Sequence, residues 1–235
     1  MKIGLFADPH YSNKISPLGN RYHSLSYDKI KASMEIFKKE NVELVICLGD
    51  LTDDCYDIKD NAKALIDLSE MINSYGIKFY SLMGNHDYLS FTKEEFDECT
   101  NGAYPPFKYQ VGKSTLIFLD CNYENGGKPY RKREVDWTNT FLPDEQYNAL
   151  CEALSDNTKE FYIFAHQNLD NEVDKYHIVH NSDKIRALLE KHNVKMVIQG
   201  HYHQGHDAII NGIKYHTLSA MCENKDCFCE ILEIK

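Results

Sequence analysis

Six short apolar runs punctuate the chain: residues 2–7 (KIGLFA), 43–47 (ELVIC), 78–83 (KFYSLM), 114–120 (STLIFLD), 160–165 (EFYIFA) and 195–199 (KMVIQ). Each is bounded by Gly, Asn or charge, the pattern of strands buried on both faces. Between them lie segments with a helical pattern, over 27–40, 57–75 and 182–192, and another opened by Pro143 that runs to Leu154. Strands alternating with helices predict an α/β fold with a mainly parallel sheet. The tail departs from this rhythm. HDAIING, IKYHTLS and AMCENKDCFCEILEI read as three short strands with turns at Asn211-Gly212 and at Glu223-Asn224-Lys225, so antiparallel strands are expected there. A polar stretch at about 122–140 is longer than an ordinary connection and is expected to be a functional or disordered loop insertion. With no repeat or linker to divide it, the chain reads as a single domain over 1–235.

Chemistry-bearing residues follow the strands. After 2–7 come Asp8-Pro9-His10, after 43–47 Gly49-Asp50-Leu51-Thr52-Asp53, and after 78–83 Gly84-Asn85-His86-Asp87. His166 follows 160–165, and Gly200-His201-Tyr202-His203 follows 195–199. A lone strand-end His or GD is most simply a turn or a cap. Five strand ends carrying carboxylates, an amide and imidazoles are different, because the carboxyl ends of strands in an α/β sheet converge on one crevice. Three oxygen donors (Asp8, Asp50, Asn85) and four imidazoles (His10, His166, His201, His203) exceed the needs of one tetrahedral ion and suit two ions sharing a carboxylate. Such a pair can hold a hydroxide between them and clamp an in-line displacement at phosphorus. The donor set, lacking thiolate, favours Mn, Fe, Zn, Ni or Co over copper or an all-oxygen calcium site.

The ordered motifs DPH, GDLTD, GNHD, H and GHYH resemble those of the calcineurin-like metallophosphoesterase superfamily. The resemblance implies a four-layer αββα sandwich of two mixed β-sheets flanked by helices. Carried over by position, it assigns Asp8, His10, Asp50 and His203 to a first ion, lets Asp50 bridge, and completes the second with Asn85, His166 and His201. It places His86 as the proton donor to the leaving group, with Asp87 expected to hold its ring. Gly84 is expected to allow a sharp turn off the strand, and Asp53 reads equally as support for a ligand imidazole or as a helix cap.

Composition narrows the partners. A net charge of −10 argues against bulk affinity for polymeric nucleic acid or anionic membranes, leaving a small phosphorylated substrate. No run approaches the roughly 18 apolar residues of a membrane span, and the short uncharged start does not read as a signal peptide, so a cytoplasmic location is expected. The eight cysteines lack paired CxxC spacing and read as free thiols, the clustered Cys222, Cys227 and Cys229 included. Arg21 is a candidate phosphate clamp. Arg131, with its cationic and aromatic neighbours in the insertion, is a second candidate substrate contact, for a nucleotide held by charge and stacking. RYHSL and GIKYHTLSAMCE are similar to the manganese-dependent ADP-ribose/CDP-alcohol diphosphatase branch and, less closely, to class III cyclic nucleotide phosphodiesterases. The diphosphatase branch generally has Gln where this chain has His10. The expected activity is hydrolysis of small phosphodiesters or diphosphates, nucleotide-like, with a phosphomonoesterase or phosphoprotein phosphatase as the alternative. A catalytically inactive scaffold would have lost ligands or the catalytic His, and none is missing here.

Overall fold

The structure is a computed structural model and describes residues 1–234. β1 (Lys2–Phe6), α1 (Ser26–Lys39), β2 (Leu44–Cys47), α2 (Asn61–Asn73) and β3 (Lys78–Ser81) come first. Two short helices follow, α3 (Asn85–Ser90) and α4 (Lys93–Cys99), then the hairpin of β4 (Lys108–Val111) and β5 (Ser114–Leu119). The insertion contains the small hairpin β6 (Tyr123–Glu124) and β7 (Lys128–Pro129). After it come α5 (Asp144–Leu154), β8 (Glu160–Ala165), α6 (Ser182–Leu189) and β9 (Val194–Gln199). β10 (His206–Ile210), β11 (Ile213–Thr217) and β12 (Glu230–Glu233) complete the order.

The strands form two mixed sheets. One runs β12-β1-β2-β3, the other β10-β11-β9-β8-β5-β4. In the first only β12 is antiparallel to its neighbour, and in the second only the β10–β11 and β4–β5 pairs are. Strand periodicity divides the side chains between two faces. Ile3, Leu5, Leu44 and Ile46 point inward and meet Leu116, Phe118, Phe164 and Ile198 of the other sheet. Phe6, Val45 and Cys47 point outward beneath Ile30, Met34 and Phe37 of α1 and Leu65, Leu68 and Ile72 of α2. On the opposite side Leu150, Leu154, Ile185 and Leu189 of α5 and α6 cover Ile117, Ile163 and Val197. The result is the expected four-layer αββα sandwich.

The tail is corrected in one respect. β10 and β11 pair as a hairpin through Asn211-Gly212, but Glu223-Asn224-Lys225 is not a hairpin turn. A 3-10 turn at Met221–Glu223 ends the second sheet's excursion, and β12 crosses to pair with β1 in the first. Five further elements were not anticipated, the β6–β7 hairpin of the insertion among them. α3 and α4 have six and seven residues, too short to display helical periodicity, although Thr92 and Glu95 form a capping box. β4 is a four-residue edge strand whose burial is only partial. The insertion is built rather than loose. The buried Tyr130 donates its hydroxyl to the Asp136 and Asn139 carbonyls at 2.6 and 3.1 Å, and Arg133 forms a two-bond pair with Asp54. Among the described residues, no helix is long and apolar enough to cross a membrane.

Candidate metal centre

All five motifs leave their strands at one edge of the sandwich, three from the first sheet and two from the second. Pairing continues past the strand ends, with Asp8 N donating to Gly49 O and His10 N to Asp50 O. Asp8, His10, Asp50 and His201 have left-handed backbone, with φ of 51, 47, 49 and 66°. That conformation is unfavourable for residues with a Cβ and clusters where strain serves a site. Here it turns four ligand candidates off three strands, β1, β2 and β9, within two to four residues of their ends.

Ligand atoms gather on either side of Asp50, those of His166 and His201 on one and those of His10 and His86 on the other. The ligand atoms of Asp50, His166 and His201 all lie within 4.8 Å of one another. His166 Nε2 is 3.5 Å from Asp50 Oδ2 and 3.2 Å from Asn85 Oδ1. On the other side His10 Nε2 is 3.5 Å from the same Asp50 Oδ2 and 3.2 Å from His203 Nε2, which is 3.6 Å from Asp8 Oδ1. Neighbouring groups orient the imidazoles. His166 Nδ1 donates to the Leu48 carbonyl at 2.8 Å, and His203 Nδ1 to Glu223 Oε1 at 2.7 Å, so both rings turn Nε2 inward.

The donor set fits divalent cations on its own evidence. His201 Nε2 is buried without a hydrogen-bond partner, and two imidazole nitrogens face each other across 3.2 Å. Such an arrangement is costly unless a cation lies between the lone pairs. Electrostatics agree. Burial lowers the pKa of His10 and His201 well below the usual value, with neighbouring imidazoles adding to the effect, and keeps both as neutral donors. At Asp50 burial opposes the charge, but His166, His86 and His10 hold the carboxyl well below its ordinary range. Burial opposes charge at His166 too, yet the carboxylates of Asp50 and Asp8 raise it to about 9. A bound ion would have to displace that proton.

A family model described as calcineurin-like phosphoesterase matches residues 1–205, which span every motif. The chain belongs to this family. The metallophosphoesterase fold is found again in a dimetal phosphatase from Danio rerio, with a TM-score of 0.78 at 18% identity over 94% of this chain and 88% of that one. A phosphopantetheinyl hydrolase from Mycobacterium tuberculosis aligns at 0.55 and 14% identity over 94% and 90%, and an archaeal phosphodiesterase at 0.53 and 14% over 99% and 93%. Among curated proteins no sequence matches. Within the family this chain is a metal-dependent phosphoester hydrolase.

The structure of this metallophosphoesterase revises two roles. Asp87 does not touch His86. Its carboxylate accepts from the backbone N–H groups of Leu51, Thr52 and Gly84 and from the Thr52 hydroxyl, tying the GDLTD loop to the start of α3. The spacing is the reason, since a residue at the third helical position reaches back to the cap. The partner of His86 is Asp53, whose Oδ2 lies 3.4 Å from Nδ1. The same oxygen is 3.7 Å from His10 Nδ1 and 3.5 Å from Arg21, so Asp53 supports imidazoles and caps no helix. Burial opposes charge on His86, but Asp50 and Asp53 outweigh it and raise its pKa, favouring the protonated ring.

Gly84 is explained differently from expectation. Its φ of −100° is ordinary; what matters is space, since a Cβ there would lie 2.6 Å from His166 Nε2. Arg21 lines the pocket above the ligands and reaches to 3.4 Å from His86 Nε2, whereas Arg131 does not. Reciprocal backbone bonds with Glu134 turn the chain there, and Arg131 is exposed to solvent away from the site. Sequence reasoning missed Glu223 as the partner of His203, and Cys222, whose sulfur groups with His10 and His203. Both lie far along the chain on the 3-10 turn, and only the GIKYHTLSAMCE resemblance pointed near them.

Proposed function

We propose that this metallophosphoesterase hydrolyses small phosphodiesters or diphosphates at two divalent ions, one held by Asp8, His10, Asp50 and His203 and the other by Asp50, Asn85, His166 and His201. The observation that carries the reading is that His10 Nε2 and His166 Nε2 each lie 3.5 Å from Asp50 Oδ2 on the floor of a pocket of about 400 Å³, with His86 and Arg21 at its side. When bound, the ions supply Lewis acidity toward a phosphoryl oxygen and acidify a water toward neutrality. The remaining roles belong to the chain. Arg21 offers N–H donors to a phosphoryl oxygen and marks where charge grows during attack. His86, with the Asp53 carboxylate 3.4 Å from its Nδ1, presents Nε2 to the pocket and can hand a proton to the departing oxygen. Arg21 is the one Lys or Arg side chain among the lining residues, which suits a singly charged diester better than a dianionic monoester.

The test is a comparison of bis-p-nitrophenyl phosphate with p-nitrophenyl phosphate over protein loaded in turn with Mn, Fe, Zn, Ni or Co. Faster turnover of the diester is expected. A large preference for the monoester would replace this reading with a phosphomonoesterase on the same centre.

A further inference from the structure

The pocket over the metal centre has two unlike walls. Asn20, Arg21, His86 and Glu223 form a polar one, and Trp137, His177 and Tyr202 an aromatic one. We infer that the aromatic wall is a stacking subsite for a planar heteroaromatic group of the substrate, a nucleobase. The inference rests on the phosphodiester reading for the position of the phosphate and adds what the rest of the substrate is.

The three rings adjoin one another at steep mutual angles, 51° between Trp137 and His177 and 82° between His177 and Tyr202. Trp137 and His177 have ring centres 5.2 Å apart, and His177 and Tyr202 5.1 Å. The wall starts directly over the metal centre, since Trp137 and His177 also pack on His201 at 5.8 and 5.1 Å. A ring lying on this wall would therefore belong to the same small molecule as a phosphate on the ions. Trp137 leaves 41% of its surface exposed, an unusual allowance for so large an apolar side chain. Its backbone is nonetheless held: the Tyr130 hydroxyl bonds the carbonyls of Asp136 and Asn139 on either side, and Thr138 bonds the Asp136 carboxylate. A pre-positioned, half-bare indole binds with little ordering cost. The pocket volume of about 400 Å³ lies at the lower end of the range for small-molecule sites. Beyond the rings, Tyr202 donates its hydroxyl to Gln204 Oε1, which leaves the Gln204 amide N–H groups for a base edge.

Trp137 is the sole tryptophan of the chain, so its emission reports on this wall alone. The protein is loaded with zinc, whose closed shell does not quench. It is titrated with α,β-methylene-ADP, a non-hydrolysable diphosphate, and with methylenediphosphonate, the same anion without the nucleoside. The nucleotide is expected to quench the indole saturably, and the bare anion to leave emission unchanged and compete at least about tenfold more weakly. His177→Ala is expected to weaken nucleotide binding about tenfold while leaving methylenediphosphonate affinity unchanged. Trp137→Ala should lower kcat/KM for a nucleoside diester and spare an aliphatic diester such as glycerophosphoethanolamine. Equal competition by the two anions, absence of quenching, or equal losses on both substrates would overturn the subsite and leave Trp137 as a cover for His201. Quenching with no hydrolysis of any diester or diphosphate would instead remove the proposed reaction and keep the binding wall.

Discussion

His86 is next to Asn85 in sequence, yet the two side chains face different partners. Asn85 Oδ1 joins His166, while His86 lies between Asp53 and Arg21. A guanidinium 3.4 Å from Nε2 suits a group that meets an anionic substrate better than one that ligates a cation. Replacing His86 by Asn is expected to lower kcat by about a hundredfold to ten-thousandfold with two ions retained, and by less for substrates with good leaving groups. Metal analysis beside rate measurements checks this, and loss of an ion would reassign His86 as a ligand. Asp53→Asn keeps the shape but removes the charge that His10 and His86 share, so activity is expected to fall about tenfold to a hundredfold with the fold intact. At Gly84 a single methyl suffices for damage. Gly84→Ala would press on the Asp50 carboxylate and backbone N–H and on His166, and its expected signature is loss of bound metal with little change in circular dichroism.

At the scale of elements, the two sheets are joined away from the site by a histidine. His216 on β11 donates from Nδ1 to Asp207 on β10 at 2.6 Å and from Nε2 to Glu230 on β12, in the other sheet, at 2.9 Å. The bond to Glu230, against an opposing burial effect and with help from Asp207, raises its pKa. The charged form is therefore stabilised by folding. That contribution is complete below the ordinary His pKa of about 6.5 and is lost as pH rises through the higher folded value. Because the carboxylates are partly exposed, the pair is worth only about 1 kcal/mol. Urea unfolding of wild type and His216→Asn should differ most at about pH 6 and converge by about pH 9. A gap that widened with pH would contradict the assignment. The insertion shows how an element can be misjudged from its composition. Of its cations, which read as a nucleotide-binding run, Lys128, Lys132 and Arg133 are spent on Glu124, Glu95 and Asp54, and what the loop delivers to the pocket is Trp137.

On the whole-molecule scale the centre draws its ligand candidates from both sheets, so bound ions would act as a clamp between them. Buried Asp8 and Asp50 and four imidazoles converge there, and burial pushes the Asp8 pKa up, a sign that the carboxylate lacks sufficient compensation from protein groups alone. Ions that bind only the folded chain add stability by mass action, about 2.7 kcal/mol at a free concentration a hundred times Kd. Chelation is therefore expected to lower Tm measurably, with recovery on adding metal back, and to have a much smaller effect on an Asp50→Ala variant. Calorimetry with and without chelator checks both.

The sequence by itself determined the buried strands and the ligand candidates at their ends, while the four layers were what the family resemblance implied. A strand buried on both faces must be a continuous apolar run, and polar residues at its carboxyl end can only fall in the crevice, so both were legible without coordinates. The tertiary structure decided which groups serve those ligands. Asp53 rather than Asp87 holds His86 because α3 turns Asp87 back onto its own N-terminus. Glu223 reaches His203 because β12 crosses from one sheet to the other after the 3-10 turn. Trp137, His177 and Tyr202 meet only because three separate loops fold over the same edge. Contacts between residues distant in sequence leave no period or spacing to read; they exist only once the sheets have packed.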